Sequence, residues 1–165
     1  MALCAVTTAT VPAVRAVAPG RQPSQASAAA DERARAVLAL ADAERAAALQ
    51  ALSPAELTEM SKALAALAER WRVAGQNADA LGAARLAVHC AERASDDRAL
   101  AQALSRLGAV TNARGEFTDS IDVLQRSIAL SRQLDDRPTL AEALATLSYA
   151  QLIRGDIDKS LAAST

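Results

Sequence analysis

A pattern that returns every 40 residues constrains the fold of this chain more than any other feature. The segment at 100–124, LAQALSRLGAVTNARGEFTDSIDVL, returns at 140–164 as LAEALATLSYAQLIRGDIDKSLAAS, and a fainter copy lies at 60–84. Each copy predicts two antiparallel helices joined by a tight turn at a glycine, namely Gly75, Gly115 and Gly155. One hairpin cannot bury its apolar face alone, so the fixed step predicts an all-α solenoid of stacked hairpins.

The composition supports helices and excludes several classes of protein. Hydrophobic residues make up 52% of the chain, but the only aromatic residues are Trp71, Phe117 and Tyr149, so the apolar mass is alanine and leucine, which favour helices. The net charge is −1 with both signs interspersed, which argues against nucleic-acid binding. Two cysteines give neither a disulfide framework nor a metal site. No apolar run is long enough to predict a membrane span.

The chain divides into a leader, a cap and three repeats. Residues 1–30 predict a flexible leader, because prolines interrupt any helix there and charges are scarce. A clipped secretory signal peptide is the alternative, which would make the location periplasmic instead of the favoured cytoplasmic one. Residues 31–52 predict one cap helix over the first hairpin. The helical-repeat domain spans 31–165, with repeats at about 54–94, 97–134 and 138–165, of which the last is incomplete.

Local signals set the helix ends. The tetrapeptide Ser53-Pro54-Ala55-Glu56 predicts a helix start with a capping box, and aspartates at 96–97 and 135–136 open the next two repeats. In the third repeat, the pattern predicts a helix over 139–153 that ends at Gly155 and a last helix that begins near Ile157.

The spacing of these residues resembles a known repeat family. The residues that carry the resemblance are Leu104, Leu107, Gly108, Gly115, Phe117, Ser120, Leu124 and Ser127. They are similar to the tetratricopeptide repeat, in its 40-residue subclass as found in bacterial signalling and scaffold proteins. The resemblance implies a right-handed superhelix whose first helices line a concave groove, and it implies a protein or peptide as the partner.

The groove can be predicted residue by residue from the helical wheel of each first helix. Positions about 180° from the buried stripe should face the groove, with Tyr149 as the main apolar anchor. An ordinary solvated surface is the alternative interpretation of these positions. The predicted groove residues are Lys62, Glu69, Arg72, Gln102, Ser105, Asn112, Glu142 and Tyr149.

Catalysis and cofactor chemistry are not predicted. His89 and Cys90 are adjacent on a helix and therefore point about 100° apart, so they cannot form a nucleophile–base pair. No phosphate-binding loop, HExxH or GxSxG motif is present, so no metal and no cofactor is expected.

Two functions are consistent with these sequence features. The first is a non-enzymatic scaffold module that binds a protein or peptide in the groove. The alternative is the N-terminal sensory or oligomerising region of a truncated multidomain bacterial signalling protein, such as a cyclase, kinase or regulator. In that case a homo-oligomer would form through the open C-terminal end, where the third hairpin is unfinished.

Overall fold

The computed structural model describes the backbone of residues 25–163 and the side chains of residues 28–155, and this range is all helix and turn. The helices in chain order are α1 (Gln25–Ala39), α2 (Asp42–Gln50), α3 (Pro54–Val73), α4 (Asn77–Ala94), α5 (Asp97–Ala113), α6 (Phe117–Gln133) and α7 (Arg137–Ala163). Residues 1–24 of the flexible leader predicted at 1–30 lie outside the described residues, whereas residues 25–30 belong to α1.

Two complete hairpins, α3–α4 and α5–α6, form the body of the fold. Their turns contain Gly75 and Gly115, whose φ angles are +78° and +80°. In each turn the residue after the glycine donates its backbone N–H back into the first helix, from Gln76 to Trp71 at 2.8 Å and from Glu116 to Thr111 at 3.0 Å. Only glycine adopts this left-handed geometry without steric cost, which confirms the predicted role of these two glycines.

The two hairpins pack in the same register. In α3–α4 the hydroxyl of Ser61 donates to the carbonyl of Ala87 at 2.8 Å, and in α5–α6 the hydroxyl of Ser127 donates to the carbonyl of Ala101 at 2.7 Å. The second pair occupies the first pair's positions advanced by 40 residues, with the serine moved to the opposite helix. A buried serine hydroxyl needs a hydrogen-bond partner. Because the two helices of a hairpin lie close together, a serine on either helix reaches a backbone carbonyl of the other.

Aspartates join one hairpin to the next. Asp96 caps α5 by accepting from the amide of Ala99 at 3.0 Å, and its other carboxylate oxygen accepts from the hydroxyl of Thr58 at 3.0 Å. Asp136, one repeat later, accepts from the amide and the hydroxyl of Thr139. Each aspartate therefore caps the first helix of a repeat, and Asp96 also forms a hydrogen bond to the preceding repeat.

The core of the stacked hairpins forms two clusters, a larger one from α1 to α5 and a smaller one between α6 and α7. Leu64, Leu67, Leu104 and Leu124 are at most 1% exposed, and α4 contributes a row of buried alanines at 80, 83, 84 and 87. Alanine on one helix and leucine on the next allow close interhelical packing, so the chain builds a core with almost no aromatic residues. The architecture is an all-α tetratricopeptide-like solenoid.

The predicted cap helix over 31–52 is instead two helices, α1 and α2. The chain breaks near Ala41, and Arg45 of α2 donates to the carbonyls of Val37, Leu38 and Leu40 at 2.7–3.2 Å. These carbonyls lie at or just after the end of α1, where Val37 also accepts from the amide of Leu40 at 3.3 Å, so one guanidinium stabilises the break. Helix α1 then packs on α3.

The third repeat also differs from its prediction. Gly155 does not form a turn: α7 continues through it to Ala163, and its φ lies outside the left-handed region. A glycine inside a helix costs only about 1 kcal/mol, whereas a turn gives up helical hydrogen bonds and is compensated only when a full second helix packs back.

Candidate functional site

The first helices of the three repeats, α3, α5 and α7, together line two neighbouring recesses. The larger has a volume of about 780 Å³ and the smaller about 350 Å³. Arg106 of α5 and Glu142 of α7 line both recesses, so the two form one continuous surface, which we call the groove. The turn residues Arg114 and Gly115 and the first residue of α6, Phe117, also line the larger recess.

Seven of the eight predicted groove residues line these recesses. Those in the smaller recess are Lys62, Gln102 and Glu142. Those in the larger recess are Glu69, Arg72, Asn112, Glu142 and Tyr149. The register of the repeat brings them together because equivalent positions of successive first helices face the same side. Their role in binding stays a prediction.

Ser105 is the exception, and its predicted place in the groove is wrong. Its side chain is 1% exposed, and its hydroxyl has no partner within the described part of the chain. It lies seven residues before Asn112, hence on the same side of α5, and the amide of Asn112 donates to the carbonyl of Thr146 on α7 at 3.1 Å. A central helix has a first helix on either side, so only a narrow stripe of it remains open.

That stripe consists of Gln102, Arg106, Ala109 and Ala113, which recur at helical spacing. Arg106 is therefore a groove residue that the sequence prediction missed. The signal was available, because Arg106 lies one turn after Gln102 and one turn before Ala109, on the same face. A helical wheel of α5 that is centred between Gln102 and Ala109, instead of opposite the leucine stripe, would have placed Arg106 in the groove.

A chain of charges crosses the groove floor from α3 to α7. Arg72 donates from Nε and Nη2 to the two carboxylate oxygens of Glu69, each at 2.8 Å. Nη1 of Arg106 lies 3.9 Å from Glu69 and donates to Glu142 on the far side. Two arginines and two glutamates from three successive repeats thus alternate, which fixes the long side chains in place.

The pKa values of the first pair reflect these contacts. The pKa of Glu69 is lowered from its ordinary value, chiefly by the hydrogen bonds from Arg72, with the charge of Arg106 adding to the effect and partial burial opposing it. The pKa of the Arg72 guanidinium is raised, chiefly by the hydrogen bonds to Glu69. Both groups are therefore charged throughout the physiological range.

One apolar side chain stands at the end of the groove. Tyr149 on α7 is 56% exposed, and the neighbouring Leu152 is 62% exposed. Between them and the charges lies Asn112, which is 8% exposed and whose Oδ1 has no hydrogen-bond partner among the described residues. The groove thus combines fixed charges, an amide and an uncovered aromatic ring, which suits recognition of a chain segment.

The thiol and the imidazole of α4 do not form a reactive site. Cys90 is fully buried, and burial raises the pKa of its thiol to about 11, so the thiol is neutral. His89 points to solvent. Within residues 28–155, no group of three or more His, Cys, Asp or Glu side chains is arranged to hold a metal ion.

The described helices include none that is both long and apolar enough to cross a membrane. No curated protein and no solved structure gives a significant match to the chain. A family model described as tetratricopeptide repeat matches residues 99–164, which covers nearly all of α5 and the whole of α6 and α7. Tetratricopeptide repeats are generally protein-interaction modules and typically a non-enzymatic fold. The match supports assigning the segment at 99–164 to the tetratricopeptide-repeat family.

Proposed function

We propose that this protein is a non-enzymatic scaffold module that binds an extended or helical peptide of a partner protein in the groove. The observation that carries the proposal is the continuous surface of about 780 Å³ and 350 Å³ recesses formed by α3, α5 and α7. Its length along three successive helices matches a peptide better than a small compact ligand. The 40-residue step of the sequence supports the longer subclass of the family.

The groove offers three kinds of contact to such a peptide. Tyr149 supplies an exposed ring that an apolar side chain could cover. Gln102 supplies an exposed amide that suits the hydrogen bonds of a peptide backbone. Arg72 and Arg106 supply charges held in fixed positions by carboxylates, so binding would order few additional side chains.

An array of 12-residue peptides tests this assignment. Peptides captured by the wild-type protein should lose binding in the triple variant R72A/N112A/Y149A, because it removes a charge, an amide and the aromatic anchor together. The control changes three exposed residues of α4 and α6, in R85A/H89A/Q125A, and should leave binding intact. Circular dichroism confirms that both variants are folded. Binding that survives in the groove variant would show that the assignment is wrong.

The oligomerising region of a longer signalling protein is the second candidate, and the outer face of α7 favours it. Leu144 is 38% exposed and Leu152 is 62% exposed, whereas their counterparts one repeat earlier, Leu104 and Asn112, are 1% and 8% exposed. The exposed leucines on this face are typical of a surface that another helix covers. Light scattering should then give a mass that is a multiple of 17.1 kDa, reduced to 17.1 kDa by L144D/L152D. A wild-type mass of 17.1 kDa at all concentrations would refute this candidate.

A further inference from the structure

Arg106 lies, together with Glu142, where the two recesses of the groove meet. It projects from the middle of α5, the central first helix, and its side chain is 33% exposed. A ligand that follows the groove across three repeats must pass over this guanidinium. Such an occupant therefore meets Arg106 and its partner Glu142.

The hydrogen-bonding capacity of Arg106 is only partly used. A guanidinium carries five N–H donors. Nη1 of Arg106 contacts Glu142 and Glu69, and within the described residues its Nε and Nη2 donate to no acceptor. Arg72, by contrast, directs both Nε and Nη2 at Glu69. The groove therefore holds one guanidinium with a bidentate edge still open to a planar anion.

The free edge of Arg106 favours an anion over a cation, because the other charges of the groove are paired. The lining contains four cations, Lys62, Arg72, Arg106 and Arg114, and two carboxylates, Glu69 and Glu142, while Lys62 and Arg114 pair with Glu59 and Glu116 beside it, each at 2.8 Å. Both oxygens of Glu69 already accept from Arg72, so a cationic ligand would have to displace an arginine to reach it. An anion needs to displace nothing, because it can add to the free edge of Arg106.

We propose that the groove selects peptides that carry an aspartate or glutamate side chain, and that this carboxylate binds the free edge of Arg106 while Glu142 opposes it. The proposal rests on the proposed peptide-binding function and names the chemistry of the partner. Glu142 holds Arg106 in place, but its negative charge also repels the incoming carboxylate. The two members of one ion pair therefore act in opposite directions on binding.

Peptides selected from a 12-residue array provide the test. The captured peptides should be enriched in aspartate and glutamate, and the strongest is then synthesised with its acidic residue as glutamate and as glutamine. In fluorescence anisotropy, R106Q should weaken binding of the glutamate peptide about tenfold or more and leave the glutamine peptide nearly unchanged. E142Q should tighten binding of the glutamate peptide about 3- to 10-fold.

The outer surface supplies a matched control. Arg126 on α6 and Glu92 on α4 form a single ion pair at 3.3 Å outside the groove, so R126Q and E92Q should change neither affinity. The proposal is overturned if the captured peptides are neutral or basic, or if R106Q and E142Q shift affinity in the same direction, as loss of a purely structural ion pair would. Peptides that depend on Tyr149 without being acidic would refute this inference alone. Peptides that ignore the groove would refute the proposed function as well.

Discussion

Gly108 allows the helices of the second hairpin to touch, and replacing it should expose the cost of crowding this contact. A Cβ at position 108 would lie 2.5 Å from both Cγ and Cδ2 of Leu124, about 1 Å inside normal carbon contact. Leu124 is fully buried and cannot move aside freely. We expect this overlap to cost about 2–3 kcal/mol, in the upper part of the range for overpacked cores.

The propensity of alanine for helices offsets part of that cost by about 0.5–1 kcal/mol, so the free energy of unfolding of G108A should be about 1–2.5 kcal/mol lower than that of the wild type. Gly82 on α4 provides the matched control, because it is an exposed helical glycine and a Cβ added there would meet nothing within 4 Å. The variant G82A should therefore gain about 0.5–1 kcal/mol. Urea unfolding followed by circular dichroism should separate the two variants by about 2–3 kcal/mol.

The first repeat suggests a rescue. Positions 68 and 84, equivalent to 108 and 124, are both alanine and both fully buried. The double variant G108A/L124A reproduces that pair, so it should cost less than the sum of its single variants, of which L124A alone should cost about 2–5 kcal/mol. Equal gains in stability from G108A and G82A would refute the packing argument, and strict additivity in the double variant would refute the proposed contact.

Three further predictions address single groups. The variant S53A should lower stability by about 1 kcal/mol in thermal unfolding, because Ser53 and Glu56 form a reciprocal capping box at the start of α3; S53D, which keeps an acceptor, should restore most of the loss. The contribution of Glu69 to the free energy of unfolding should be complete above its ordinary pKa of 4.5 and should disappear as the pH falls through its lower pKa in the folded protein. The variant E69Q should therefore lose less stability than the wild type as the pH falls through that range, whereas a pH profile identical to the wild type would contradict the pairing with Arg72. In a variant without the other cysteine, Cys90 should resist thiol reagents at mildly alkaline pH until urea unfolds the protein, because it is fully buried with a pKa of about 11; rapid labelling of the native protein would contradict its burial.

Local chemistry accounts for what could be predicted. The turns at Gly75 and Gly115 follow from a backbone conformation that glycine adopts without strain, and the start of α3 follows from hydrogen bonds between Ser53 and Glu56, three residues apart. The burial of Cys90 follows from its register in the repeat. In each case the interacting groups are close in sequence or repeat at a fixed step.

The errors share the opposite cause. Gly155 carries the same turn signal as Gly115, yet α7 continues through it, because a turn depends on what packs back after it. The break near Ala41 depends on Arg45 reaching the end of the preceding helix. Neither outcome is visible in the local pattern.

The groove shows the same division. The 40-residue period was enough to fix the helical hairpins, their stacking and which helices would line a common surface, because these depend on periodicity and on local hydrogen bonds. The stack itself decided which side chains stay open, since α5 has neighbours on both sides that bury Ser105 and leave Arg106 exposed between two carboxylates. Burial and charge pairing depend on residues that lie 36 or more positions apart in the chain, and such distances close only when the hairpins pack.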